Sequence, residues 1–154
     1  MKKISTLLFG LLGSLLLITS SAAYAEQKQQ LGEWDVHYMV VSTPFLTPEV
    51  AASYGIVRSK FNALVNISVL DAVTGTAQRV SVSGTAKNLI GTTKTLTFKK
   101  VEEGDAIYYL AVLPFRDREN YRFSIDVQRG NTMQTLNFKQ EMFDQANDFD
   151  LISA

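Results

Sequence analysis

From residue 31 onward, apolar side chains recur mainly at every second position, and the intervals between these runs are rich in Gly, Asn, Asp, Thr and Ser. A period of two belongs to β-strands, whose successive side chains point to opposite faces, and not to helices. The run Glu33 to Val41 sets Trp34, Val36, Tyr38 and Val40 on one face and Glu33, Asp35, His37 and Met39 on the other. Phe61 to Leu70 repeats the pattern with Ala63, Val65, Ile67 and Val69, and Arg79 to Ala86 with Val80, Val82 and Gly84. Thr93 to Val101 is the most polar run, and its lysines suit a sheet edge, where charge discourages pairing with other chains. Ala106 to Leu113 is apolar apart from the hydroxyls of Tyr108 and Tyr109, so it reads as a central strand with contacts on both faces.

The last two strands can be registered by arithmetic. A two-residue loop at Gly130-Asn131 places Val127 opposite Gln134, Ile125 opposite Leu136 and Phe123 opposite Phe138, so the apolar faces coincide. The Phe pair would add about 0.2–1 kcal/mol. About seven short strands divided by turns predict an all-β fold, an antiparallel sandwich of immunoglobulin or fibronectin type III character. Tyr121 starts a strand after the turn-rich Arg116 to Asn120, where such sandwiches place a corner tyrosine. The period breaks between the first two strands. There Thr47 can cap a short helix with Pro48 first, Glu49 in its positive first turn and Gly55 ending it, a segment expected to cross and plug an open end of the sandwich.

The N-terminus reads differently. Lys2 and Lys3, the apolar run Leu7 to Ile18 and the small residues up to Ala23-Tyr24-Ala25 have the form of a secretory signal peptide. Cleavage is expected after Ala25, because the run is shorter than the roughly 20 residues a spanning helix needs. The expected organisation is thus a signal peptide at 1–25, a sandwich domain at 26–143 and a tail at 144–154 mixing acids with Phe149, Leu151 and Ile152. The product would be periplasmic, with no membrane span after cleavage. The chain shows no heptad or internal repeat, and a monomer or weak dimer is expected.

Composition excludes several chemistries. With 15 Lys and Arg against 15 Asp and Glu, the chain lacks the clustered cations that grip nucleic acid. The absence of Cys removes thiolate metal sites, disulfides and cysteine nucleophiles, and a single His precludes a multi-histidine centre. No cofactor is expected. The one concentrated set of reactive groups is Asp35, His37 and Met39, which alternate on one strand face. As a metal site it would take copper on imidazole and thioether, with the carboxylate orienting the ring and Met133 or Met142 joining only if the fold brought them near. A hydrolase would have to use His37, but no Ser lies in a nucleophile elbow. The acids Glu102, Glu103 and Asp105 around Gly104 read as a solvated hairpin turn. A binding surface fits better, with candidates Phe45, Leu46 and Tyr54 in the helical segment and the pair Tyr108 and Tyr109.

Three stretches carry a resemblance: Gly32-Glu-Trp-Asp-Val-His-Tyr; Asn66-Ile-Ser-Val-Leu with Thr74-Gly75; and Asn120-Tyr-Arg-Phe-Ser-Ile-Asp-Val. Together they make residues 30 to 143 resemble the exported bacterial domain of unknown function family 4426. The resemblance implies a Gram-negative periplasmic location and an immunoglobulin-like sandwich, and it supplies no activity, cofactor or site residue. The expected function is a non-enzymatic module that binds a protein or envelope component. The alternatives are a copper-binding accessory protein and an unrecognised hydrolase.

Overall fold

The alternating runs close into two facing antiparallel sheets in the computed structural model, which describes residues 27–143. The segments expected as signal peptide and tail, 1–25 and 144–154, lie outside the described residues. In chain order the strands are β1 (Gln27–Leu31), β2 (Trp34–Ser42), β3 (Asn62–Asp71), β4 (Ser81–Asn88), β5 (Thr93–Leu96), β6 (Lys99–Glu103), β7 (Ala106–Pro114), β8 (Glu119–Arg129) and β9 (Thr132–Met142). Sheet A runs β1-β2-β3-β7-β6 and sheet B runs β5-β4-β8-β9. The sandwich has nine strands among the described residues, against about seven expected. The polar β1 gives no alternation to read. The run at 93–101 is two strands, because the chain leaves sheet B after Leu96 and enters sheet A at Lys99 while Leu96 and Phe98 both face the core.

The inward faces match the expected ones. Trp34, Val36, Val65, Ile67, Ile125, Val127 and Leu136 form the centre of one buried cluster between the sheets. The β8–β9 hairpin has the expected register, with Phe123 opposite Phe138. Phe138 lies at its middle, 4.6 Å from Phe123 and 4.4 Å from Tyr38, so three rings stack across the sheets. On this side Gln29 Nε2 donates to the Asn137 carbonyl at 3.2 Å and Gln140 Nε2 to the Val40 carbonyl at 3.0 Å. Tyr121 is buried at the start of β8, but its hydroxyl lies by the Glu119 carboxylate and makes no backbone corner bond; burial, then Glu119, push its pKa far up.

The helix forms where the residues specify it, as α1 (Pro48–Tyr54). Thr47 Oγ1 accepts the Val50 N–H at 3.3 Å, and Gly55 takes a left-handed φ of 67° that L side chains rarely adopt. Its position corrects the expected crossing of an open end. Ala51 and Ile56 pack instead on the outer face of sheet A, against Val41, Leu64 and Leu110. The reason is that β2, β3 and β7 carry apolar residues on both faces here, so the outer face also needs cover. The end is closed by Thr43, fully buried, whose hydroxyl donates to the Ser59 carbonyl at 3.0 Å and accepts the Ser59 N–H at 2.8 Å.

Candidate functional site

The site is built on the outer face of sheet A, where α1 covers only part of the strands. Alternation along β2 places Asp35, His37 and Met39 outward and half-buried. Pairing with β3 sets His37 opposite Ser68 and Met39 opposite Asn66, while β7 brings Tyr108 to the same face beside β6. His37, Met39, Asn66, Ser68 and Tyr108 line one groove of about 210 Å³. Asn66 Oδ1 is buried and accepts no hydrogen bond among the described residues. A buried carbonyl oxygen left without a donor costs free energy, which sets Asn66 apart from the other groove residues.

The helical segment covers the neighbouring part of the same face. Met39, Leu46, Tyr54, Val101 and Tyr108 pack around the small cluster under α1. The Tyr54 hydroxyl donates to the Glu103 carboxylate, which raises the tyrosine pKa; burial and the nearby Tyr108 add to the shift. Leu46, Tyr54 and Tyr108 therefore belong to one surface together with His37 and Met39. Phe45 stands apart and is exposed in the 3-10 turn Thr43–Phe45. Tyr109 points the other way, into the core, where its hydroxyl donates to the Gln78 carbonyl at 3.0 Å and accepts the Val80 N–H at 2.9 Å. Adjacent strand residues cannot share a face, so the tyrosine pair is divided.

The carboxylates are committed elsewhere. Asp35 accepts from Lys28 at 3.0 Å. Glu102 is held by both nitrogens of Arg79 at 3.1 Å and by Lys100 at 3.0 Å; its pKa falls, first through the Arg79 bond and then through Lys100. Met142 is buried in the main core and Met133 sits at the far end of sheet B, so neither joins His37 and Met39. Among the described residues there is no group of three or more His, Cys, Asp or Glu that could hold a metal. Asn66 and Ser68 are the groove residues that reading the sequence for reactive groups missed. The signal was present, because they are the polar residues facing outward on an otherwise apolar strand.

These features define an antiparallel β-sandwich with one outer face covered in part by a short helix. The chain belongs to the family described as Domain of unknown function (DUF4426), which it matches over residues 28–145. It is similar to the crystal structure of a DUF4426 family protein from Pseudomonas aeruginosa PAO1, with 39% identity, 77% of this chain and 94% of that chain covered, and a TM-score of 0.68. It also shares its fold with FetP from uropathogenic Escherichia coli strain F11, at 12% identity, 77% and 94% coverage and a TM-score of 0.56. A copper-bound variant of FetP matches at 13% identity, 76% and 89% coverage and a TM-score of 0.53. None of the curated proteins matches the chain.

Proposed function

We propose that this chain is an exported periplasmic binding module, not an enzyme, and that it holds a segment of a partner protein or another envelope component in the groove of sheet A. The observation that carries this reading is a groove that sets the polar side chains of Asn66 and Ser68 beside the apolar groups of Met39 and Tyr108. An occupant with a polar group for Asn66 and Ser68 and an apolar group for Met39 and Tyr108 matches both kinds of side chain. Catalysis has less support. Ser68 faces His37, but it lies on a regular strand and not on a strained turn, and Asp35 is bound to Lys28. Placing a photo-crosslinking residue at Tyr108 in cells should capture a discrete partner, and the yield should collapse when Asn66→Leu is added. The same probe at Ser124, on the outer face of sheet B, should capture nothing. Equal capture at both positions would overturn the reading.

One observation favours a second reading. His37 and Met39, an imidazole and a thioether, line the same groove, and a copper-bound protein shares the fold. Two such donors suit copper better than harder metals. A stoichiometric copper site lost in both His37→Ala and Met39→Leu would replace the first reading with this one.

A further inference from the structure

The two ends of the sandwich present opposite surfaces. At the end where β2, β4, β7 and β9 finish, Leu89 and Ile90 at the apex of the β4–β5 hairpin are 72% and 88% exposed. Phe45, Val57, Phe61 and Phe143, also exposed, lie on neighbouring segments of this end. Those segments are tied together there, by Phe115 N–H on the Phe61 carbonyl at 2.8 Å and Ser42 Oγ on the Phe143 carbonyl at 3.2 Å.

The hairpin does not need its apolar tip. Its turn is closed by the Asn88 side chain, which accepts the Thr92 N–H at 2.8 Å, and by backbone bonds from Asn88 to Thr92 and from Gly91 to Asn88. Two adjacent branched aliphatics at such an apex cost solubility and add no packing to the fold. This end carries Arg58, Lys60, Lys87, Lys94, Arg116 and Arg118 against Glu49, Asp117, Glu119 and Glu141, and Lys60 lies over the Phe61 ring at 5.0 Å. A cleft of about 300 Å³ joins the tip to Arg116 and Arg118. The opposite end has the reverse balance, with Glu33, Asp71, Glu102, Glu103 and Asp105 against Arg79, Lys100 and Arg129.

We propose that this end docks on an anionic lipid bilayer, with Leu89 and Ile90 entering below the headgroups and the surrounding Arg and Lys residues on the phosphates. Charge complementarity selects the anionic surface. The form of the patch selects a bilayer over a protein: its apolar groups stand on several separate segments, and a fluid phase takes up separated protrusions without a matching shape. No helix among the described residues is long and apolar enough to cross a membrane. The proposal uses a different surface from the groove and does not depend on it.

The test uses the chain from Glu26 to Ala154, which contains every strand of the sandwich, and vesicles of phosphatidylglycerol mixed with phosphatidylethanolamine. The protein should sediment with these vesicles, stay in solution with pure phosphatidylcholine, and be released by high salt. Leu89→Ser with Ile90→Ser should weaken partitioning by about ten-fold or more, because apolar burial is lost. Arg116→Glu with Arg118→Glu should abolish the lipid selectivity, and Val73→Ser at the opposite end should change nothing. In Ile90→Trp, the added indole emission should shift to the blue on vesicle binding. Unaltered partitioning of the Leu89 and Ile90 variant, or no binding to anionic vesicles, overturns the proposal. So does a dimer in solution that the same double substitution dissolves, which would assign this end to a second copy.

Discussion

The outer face of sheet B and the outer face of sheet A are built from strands of similar length, yet only one is finished with water. Along β8 the outward residues are Arg122, Ser124, Asp126 and Gln128, and β4 adds Ser81, Ser83, Thr85 and Lys87. On sheet A the outward positions of β2, β3 and β7 include Val41, Leu64 and Leu110, and a helix is drawn from the β2–β3 connection to cover them. The cover stops short of His37, Asn66 and Ser68, with Met39 and Tyr108 at its margin. The difference shows where the chain spends apolar surface beyond the needs of its core, and that surplus surrounds the groove.

Substitutions at matched outward positions test this contrast. Leu110→Ser opens the cluster under α1 and should cost about 2–4 kcal/mol in urea unfolding, while Arg122→Ser on sheet B should stay within about 0.5 kcal/mol. Equal costs would erase the distinction between the faces. A smaller effect is expected at the helix terminus: Gly55→Ala forces a side chain into the left-handed region and should cost about 1–2 kcal/mol. It should also speed amide exchange at Ile56, whose N–H donates to the Ala51 carbonyl at 2.8 Å, with β8 amides unchanged.

The smallest effect is one of pH. Folding raises the Tyr54 pKa, chiefly through the bond to Glu103, so the folded state holds this proton more tightly than the unfolded chain does. The stability this contributes is fully present below the ordinary tyrosine range and is lost as pH rises through the folded-state value. Wild type and Tyr54→Phe should therefore converge in stability on the alkaline side and separate below it. A constant difference across that range would mean that the bond to Glu103 does not couple the Tyr54 proton to folding.

The contrast between the faces also explains what could be read in advance. Sheet B strands alternate apolar with polar residues, so the register from Phe123 to Phe138 followed from position alone. The helix ends were legible because Thr47, Pro48 and Gly55 act through local backbone geometry. Its location was not, because a local motif does not say which surface Ala51 will meet. Tyr108 and Tyr109 looked like one aromatic feature until the pairing of β3 with β7 assigned them to opposite faces. The groove has the same origin: His37 and Met39 are neighbours in sequence, but Asn66, Ser68 and Tyr108 reach them only through strand pairing. β1 was invisible because Gln-Lys-Gln-Gln has no apolar face and owes its strand form to β2.

The stack of Tyr38, Phe138 and Phe123 has a consequence in time. Tyr38 is among the first core residues to be made, and the ring that covers it belongs to the last strand. A chain that emerges N-terminus first can pair β1, β2 and β3 early, but Tyr38 and Phe123 wait for Phe138 to arrive between them. Sealing of the core is therefore among the final events of synthesis. A chain that stops before β9 holds most of its strands and an open aromatic interior, which marks it as unfinished to any protease that samples it.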